Sequence, residues 1–136
     1  MMIRAMEDAD ADAVVALWNA CGLTRPWNDP REDIAFARRG PNSAILVRVE
    51  GEAIVASVMV GHDGHRGWVY YVAADPSRRG AGHGRAIMAA AEEWLRRQGA
   101  WKLNLLVRKD NAPVISFYEH LGYKVSDTIC LQKVLR

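Results

Sequence analysis

The sequence has little of three features that mark special classes of protein. Its only cysteines, Cys21 and Cys130, show no metal or redox spacing and are too few for a disulfide-dependent scaffold. Its longest unbroken apolar stretch, Trp68 to Ala74, has seven residues, whereas a membrane-spanning helix needs about 20. The N-terminus turns acidic directly after Met6 and lacks the apolar segment of a signal peptide. We therefore expect a cytoplasmic protein, without a membrane partner, in which both thiols are buried and reduced.

The net charge is also low. Eighteen Lys and Arg residues against sixteen Asp and Glu residues give +2, which is too mild for a nucleic-acid binder that works by neutralising phosphates. A small anionic ligand suits this balance better. The 136 residues, 50% of them hydrophobic and 25% charged, are typical of a globular chain with one core. We predict a single domain over residues 1–136.

Strand and helix patterns alternate along the chain. Strands are predicted over residues 2–6, 44–50, 53–60, 68–74, 101–107, 123–127 and 129–135, and helices over 8–21, 29–38, 84–98 and 111–121. The strand 68–74, the helix 84–98 and the strand 101–107 form a βαβ unit, so these two strands should be parallel. The flanking hairpins make the sheet mixed. The predicted class is α+β, or α/β with a mixed sheet.

A glycine-rich loop opens the third helix. Gly80, Gly82 and Gly84 stand within five residues, and such a loop exposes unpaired N–H groups at the positive end of the helix dipole, which favours an anion. A plain strand-to-helix turn is the alternative. A P-loop is excluded because Gly84 is followed by Arg85 and Ala86 instead of Lys and Ser or Thr, and a dinucleotide fingerprint would need its third glycine at Arg85.

Two motifs together resemble those of a known family. The run Arg79-Gly80-Ala81-Gly82-His83-Gly84 reads R-x-x-G-x-G and resembles the acetyl-CoA loop of the GCN5-related N-acetyltransferases (GNAT). Asn111, with Tyr118 seven residues later in the run Phe117 to Tyr123, is similar to that family's second signature. The match covers about residues 43–125. Residues 23–30 and 61–67 further resemble the small bacterial YpeA-type acetyltransferases.

The resemblance implies a GNAT-like acyl-CoA N-acyltransferase fold, a central mixed and twisted sheet flanked by about four helices. It implies an acyltransferase that moves the acetyl group of acetyl-CoA to a primary amine by direct attack in a ternary complex. The residues implied in cofactor binding are Val72, Ala73 and Ala74 for the pantetheine arm and the thioester, Arg79, Gly80, Ala81, Gly82, His83 and Gly84 for the pyrophosphate, and Asn111. A helix N-cap explains Asn111 equally well.

The resemblance implies that Tyr118 is the general acid, since a phenol can protonate the departing CoA thiolate. The alternative role of Tyr118 is a core residue, because it lies on the apolar face of its helix. The general base stays open between Asp63, His65 and an ordered water. His62 and His65 lack further ligands at metal-binding spacing, so no metal site is predicted.

The acceptor side is less defined. Its candidate substrate-binding residues are Arg25, Trp27, Tyr70 and Tyr71, and an arginine beside an indole suits an anionic or planar acceptor, although loop packing explains it equally well. The same fold with another acyl-CoA, or a silent acyl-CoA-binding module, remains an alternative, because strand 68–74 lacks the glutamate that many relatives carry. Exposed sheet edges near either hairpin could pair into a homodimer.

Overall fold

The computed structural model describes residues 2–136 and divides into two compact units, with the boundary between Leu106 and Val107. The strands are β1 (Met2–Ala5), β2 (Ser43–Glu50), β3 (Ala53–His62), β4 (Gly67–Ala74) and β5 (Leu103–Asn104). The helices are α1 (Ala11–Ala20), α2 (Pro30–Ala37), α3 (His83–Gln98) and α4 (Ala112–His120). Short 3-10 turns, Asp8–Asp10 and Pro76–Arg78, precede α1 and α3.

The five strands form one mixed sheet in the order β1-β2-β3-β4-β5. Neighbours are antiparallel except β4 and β5, which run parallel across α3. The tight turn at Gly51, with φ of 61°, joins β2 to β3 as the sequence indicates. The predicted fold class and the parallel pair are confirmed.

The core of the first unit follows from the helical periodicity of α1, α2 and α3. Val14, Leu17 and Trp18 of α1 and Ile34 of α2 belong to a buried cluster, which also holds Ile45, Val47 and Ala73 of the sheet. Helix α3 packs against β3 and β4, and its buried apolar residues are Ile87, Met88, Ala91 and Leu95. Both helical layers therefore bury their apolar stripes against the sheet.

Several predicted boundaries are wrong. The strand predicted over 101–107 is only Leu103–Asn104, and residues 123–136 form no strand within the described chain. The first helix begins with a 3-10 turn capped by Glu7, not with Asp8 as its cap. Cys130 is exposed, not buried, whereas Cys21 is half-buried. Alternating apolar residues form a strand only where another strand edge satisfies their backbone groups, and residues 123–136 find none.

Candidate functional site

Strand β4 carries an irregularity just before its C-terminal end. Ala73 pairs with Ser57 and Tyr70 with Met59, so Tyr71 and Val72 together oppose the single residue Val58. Tyr71 has a φ of 51°, a rare value for a residue other than glycine. This is a β-bulge, a feature that redirects side chains and is common beside active sites.

The C-terminal half of β4 also has an open edge. The β5 residues Leu103 and Asn104 pair only with Gly67 and Trp68, and no described strand pairs with that edge from Val69 onwards. The peptide groups of Val72, Ala73 and Ala74 therefore lie where β4 has lost its parallel neighbour. Such groups can hydrogen-bond an extended ligand in place of a strand.

The glycine loop leads from β4 into α3 through two left-handed residues. Gly80 has a φ of 82° and Gly82, the N-cap of α3, has a φ of 74°. Apart from the adjacent residues, no heavy atom of residues 2–136 lies within 4 Å of a Cβ built at either position. These glycines are therefore required by the backbone conformation, and the space beside them is open. Gly82 supplies no side-chain cap, which leaves the first N–H groups of α3 free for a ligand.

Side chains around the loop fix its position and add positive charge. The Arg48 guanidinium donates to the Gly82 carbonyl at 3.2 Å, which ties the loop to β2. Arg79, Ala81 and Arg85 are exposed. The loop thus offers main-chain donors and basic side chains together, and an anionic group fits both.

His83 differs from the exposed residues of the loop. Its side chain is buried, with 4% of the residue exposed, and neither ring nitrogen has a hydrogen-bond partner within the described residues. Its Nε2 lies 3.8 Å from the Glu50 carboxylate, which also pairs with Arg78 at 3.3 Å. The His83 ring is therefore enclosed by the protein, unlike the side chains of Arg79 and Arg85.

A network of four side chains holds the bulge in β4. The Tyr71 ring stacks on Trp18 with centroids 3.8 Å apart. The Trp18 indole donates to Ser57 Oγ at 2.8 Å, and Ser57 Oγ donates to the Tyr71 carbonyl at 3.3 Å. The Tyr71 hydroxyl donates to Asp33 Oδ2 at 2.6 Å. Burial, together with the Asp33 carboxylate, raises the pKa of the Tyr71 phenol well above its usual range, so the phenol stays protonated.

This network contains the residues that sequence reasoning missed. Asp33 looks like an ordinary polar residue of α2, and 38 positions separate it from Tyr71. Ser57 carries the one available signal, because it is the only polar residue in the apolar run Ala53 to Val60. A buried hydroxyl in such a strand predicts a hydrogen-bond partner without identifying it.

The other candidate acceptor-binding residues, Arg25, Trp27 and Tyr70, differ in their hydrogen bonds and in their exposure to solvent. Arg25 Nη1 donates to the carbonyls of Gly22 at 2.7 Å and Thr24 at 2.9 Å, so that nitrogen shapes its own loop. Trp27 is 70% exposed and Tyr70 is 48% exposed. The structure thus joins Tyr71 to α1 and α2 and leaves the Trp27 indole at the surface.

Asp63 stabilises the turn that joins β3 to β4 and also contains His65. Asp63 accepts hydrogen bonds from the backbone N–H groups of Arg66 and His65 and from the Trp68 indole. These bonds, the one from Arg66 foremost, lower the pKa of the Asp63 carboxyl. A carboxylate stabilised in this way is a weaker base than an ordinary aspartate.

The second unit holds α4 and the predicted general acid. Asn111 caps α4 by accepting from the Val114 N–H at 3.4 Å. Tyr118 is buried and makes edge contacts with the rings of Phe117 and Tyr123. Burial raises the pKa of Tyr118 to about 12, so its hydroxyl is a proton donor throughout the neutral range.

Residues 2–136 contain neither a candidate metal-binding cluster nor a candidate membrane-spanning helix. None of these residues belongs to a group of three or more His, Cys, Asp or Glu side chains that could hold a metal ion. No helix in this part of the chain is long and apolar enough to cross a lipid bilayer.

The chain is similar in sequence to a known protein family and to individual proteins. The model of the acetyltransferase (GNAT) family matches residues 8–123. An acetyltransferase of Yersinia enterocolitica is 44% identical over 135 residues, which cover 99% of this chain and 96% of that protein.

Solved structures show the same fold. AAC(6')-Iy, in complex with the bisubstrate analogue CoA-S-monomethyl-acetylneamine, superposes with a TM-score of 0.82 at 14% identity, over 98% of this chain and 97% of that one. The ribosomal-protein-S18-alanine N-acetyltransferase of Escherichia coli gives a TM-score of 0.74 at 22% identity, over 89% and 76% of the two chains. The family match and the relative together establish that this chain belongs to the acetyltransferase (GNAT) family and is an acyltransferase.

Proposed function

We propose that the protein is an N-acetyltransferase that moves the acetyl group of acetyl-CoA to a primary amine, and that residues 1–136 act as one catalytic domain in the cytoplasm. The observation that carries the proposal is the junction of β4 and α3. There an open strand edge is followed, after the short 3-10 turn Pro76–Arg78, by a glycine loop that leads to a helix N-terminus with free N–H groups. An extended, anionic cosubstrate such as acetyl-CoA matches both parts.

Backbone groups supply the binding in this proposal. Val72, Ala73 and Ala74 pair with the pantetheine arm, and their N–H groups stabilise the oxyanion that forms on the thioester carbonyl. The pyrophosphate lies against the amides of the glycine loop and the exposed Arg79. Asn111 contacts the cosubstrate besides capping α4. The residues of the loop assigned to the pyrophosphate are Arg79, Gly80, Ala81, Gly82, His83 and Gly84.

The chemistry is a direct transfer. The neutral amine attacks the thioester carbon, a C–N bond forms, and the C–S bond breaks when the tetrahedral intermediate collapses. Tyr118, protonated because its pKa is about 12, donates its proton to the departing thiolate. The amine proton leaves to an ordered water, which we favour over Asp63 because hydrogen bonds lower the pKa of the Asp63 carboxyl.

The acceptor binds beside α1, α2 and β4, where Arg25, Trp27, Tyr70 and Tyr71 form its surroundings. A homodimer is part of the proposal. Residues 124–135 leave Ile129, Leu131 and Leu135 exposed, and pairing with a second copy would cover an extended apolar segment of this kind.

The test follows free CoA thiol from acetyl-CoA against a panel of small amines, N-terminal peptides and lysine peptides, with acceptor-free reactions as the control. Release that depends on the acceptor, with the acetylated amine identified by mass, supports the proposal. Release only from a longer acyl-CoA would replace acetyl-CoA as the donor. CoA binding without release on any acceptor would overturn the enzymatic proposal in favour of an acyl-CoA-binding module.

A further inference from the structure

Asp33 is a half-buried carboxylate without a counter-ion. Other acids on the same side of the first unit pair with arginines: Asp12 with Arg31 at 2.7 Å and Asp8 with Arg38 at 2.6 Å. Among residues 2–136 no lysine, arginine or histidine forms an ion pair with Asp33. Burying an ionised carboxylate without a cation costs free energy, and a cationic ligand would offset that cost.

The geometry around Asp33 leaves one oxygen available. Its Oδ2 accepts the short bond from the Tyr71 hydroxyl at 2.6 Å, whereas no described residue donates a hydrogen bond to its Oδ1. Tyr71 is itself fixed by its stack on Trp18 and by the bulge in β4. The carboxylate is thus held in one orientation, which favours a specific ligand over a mobile surface charge.

The position of Asp33 relates it to the acceptor and not to the acyl donor. Tyr71 immediately precedes Val72, Ala73 and Ala74, the residues proposed to hold the thioester. The Tyr71 side chain carries a contact from β4 to α2, whereas the glycine loop that follows Ala74 leads into α3. A cation bound at Asp33 therefore belongs to the molecule that approaches the thioester from the α2 side.

The reacting nitrogen itself is a poor candidate for that cation. It must be neutral in order to attack, and a nearby carboxylate favours the charged ammonium. The carboxylate suits a second nitrogen that stays protonated throughout the reaction.

We propose that Asp33, oriented by Tyr71, binds a positively charged nitrogen of the acceptor other than the one that is acetylated. The acceptor is then a diamine or a larger amine with at least two cationic nitrogens. This inference rests on the proposed N-acetyltransferase function and adds the substrate class. Asp33 contacts the acceptor, and Tyr71 positions Asp33.

The test compares α,ω-diamines of three to eight carbons with n-alkylamines of the same lengths. Calorimetric titration of the protein, with and without CoA, gives their affinities, and thiol release gives their kcat/KM. A hydrogen-bonded ion pair predicts that the best diamine is preferred over its matched monoamine by roughly tenfold to 100-fold. Equal affinities across the whole series would overturn the inference.

Three variants assign the preference to its residues. Asp33→Asn should reduce the diamine-to-monoamine ratio to near one, whereas Asp12→Asn, the same change in an exposed ion pair, should keep it. Tyr71→Phe retains the ring on Trp18 and should raise KM for the diamine more than it lowers kcat. A preference that persists in Asp33→Asn would exclude Asp33 as the site, and thermal unfolding of each variant identifies any that fails to fold.

The outcomes for the two proposals are distinguishable. Acetyl transfer to monoamines and diamines with equal efficiency would leave the enzyme standing and remove the diamine subsite. Diamine-selective binding that requires Asp33, without thiol release from acetyl-CoA, would support the subsite and remove the proposed reaction.

Discussion

The units on either side of the Leu106–Val107 boundary contain similar apolar patterns and use them differently. In the first unit every strand has a partner, and Trp18, Ile45 and Val58 are almost completely buried. In the second, α4 buries Tyr118, while Ile129 and other apolar residues of the tail are exposed. The difference shows that an alternating apolar pattern does not form a strand by itself, because the strand also needs a neighbouring strand edge with which to pair.

The proposed function assigns cosubstrate binding mainly to the first unit and proton donation to the second. The first unit offers main-chain groups, at the open edge of β4 and at the start of α3, which suit binding. The second offers the protonated phenol of Tyr118, which suits proton transfer. Variants in the two units should therefore change different kinetic constants.

The largest effect is expected at Tyr118. Tyr118→Phe removes the proton donor while keeping the ring, and should lower kcat by about 100-fold or more, with KM for acetyl-CoA nearly unchanged. Tyr123→Phe, the same change in the neighbouring ring, should leave kcat near the wild-type value. Steady-state thiol release measures both, and equal turnover by Tyr118→Phe would remove it as the general acid.

Two leucine-to-alanine variants, one in each unit, test the difference in burial between the two units. Leu17→Ala opens a cavity in the core, where Leu17 is 6% exposed, and should lower the free energy of unfolding by about 2–5 kcal/mol. Leu131→Ala, at a position 90% exposed, should change it by less than about 0.5 kcal/mol in dilute protein.

Urea unfolding at several protein concentrations measures the free energy of unfolding of both variants and of the wild type. A cost of Leu131→Ala that grows with concentration indicates the proposed homodimer. A cost of more than about 1 kcal/mol that is the same at every concentration would contradict the comparison, because the tail would then pack within its own chain.

An effect smaller than that at Tyr118 is expected at the glycine loop. Gly82→Val and Gly64→Val both place a β-branched residue at a positive φ with open space around the Cβ. Backbone strain should therefore lower the free energy of unfolding by about 1–2 kcal/mol in each variant. Only Gly82→Val should also weaken acetyl-CoA binding, by roughly tenfold or more, because its side chain enters the proposed pyrophosphate site. Calorimetric titration compares the two, and unchanged affinity in Gly82→Val would show that the loop is misassigned.

Features set by a few neighbouring residues could be predicted from the sequence. Gly99 ends α3 with a left-handed conformation, Asp29 and Asn111 cap their helices, and the βαβ spacing gives the parallel pair β4 and β5. Each depends on local backbone geometry or on a short connection.

Features that join distant segments could not be predicted. The bond from Trp18 to Ser57 crosses 39 positions and that from Tyr71 to Asp33 crosses 38. Neither pair has a spacing that signals contact, because the bulge that redirects Tyr71 depends on the register of β3. Exposure of Cys130 was missed for the related reason that the predicted closing hairpin does not form.

The open N-terminus of α3 has a practical consequence for mutagenesis. Its free donors belong to the main chain, so they survive replacement of exposed side chains such as those of Arg79 and Arg85. An alanine scan of these residues would register the arginine charges and pass over the amides. Backbone-directed changes, such as an ester in place of a single amide, would be needed to observe what this loop contributes.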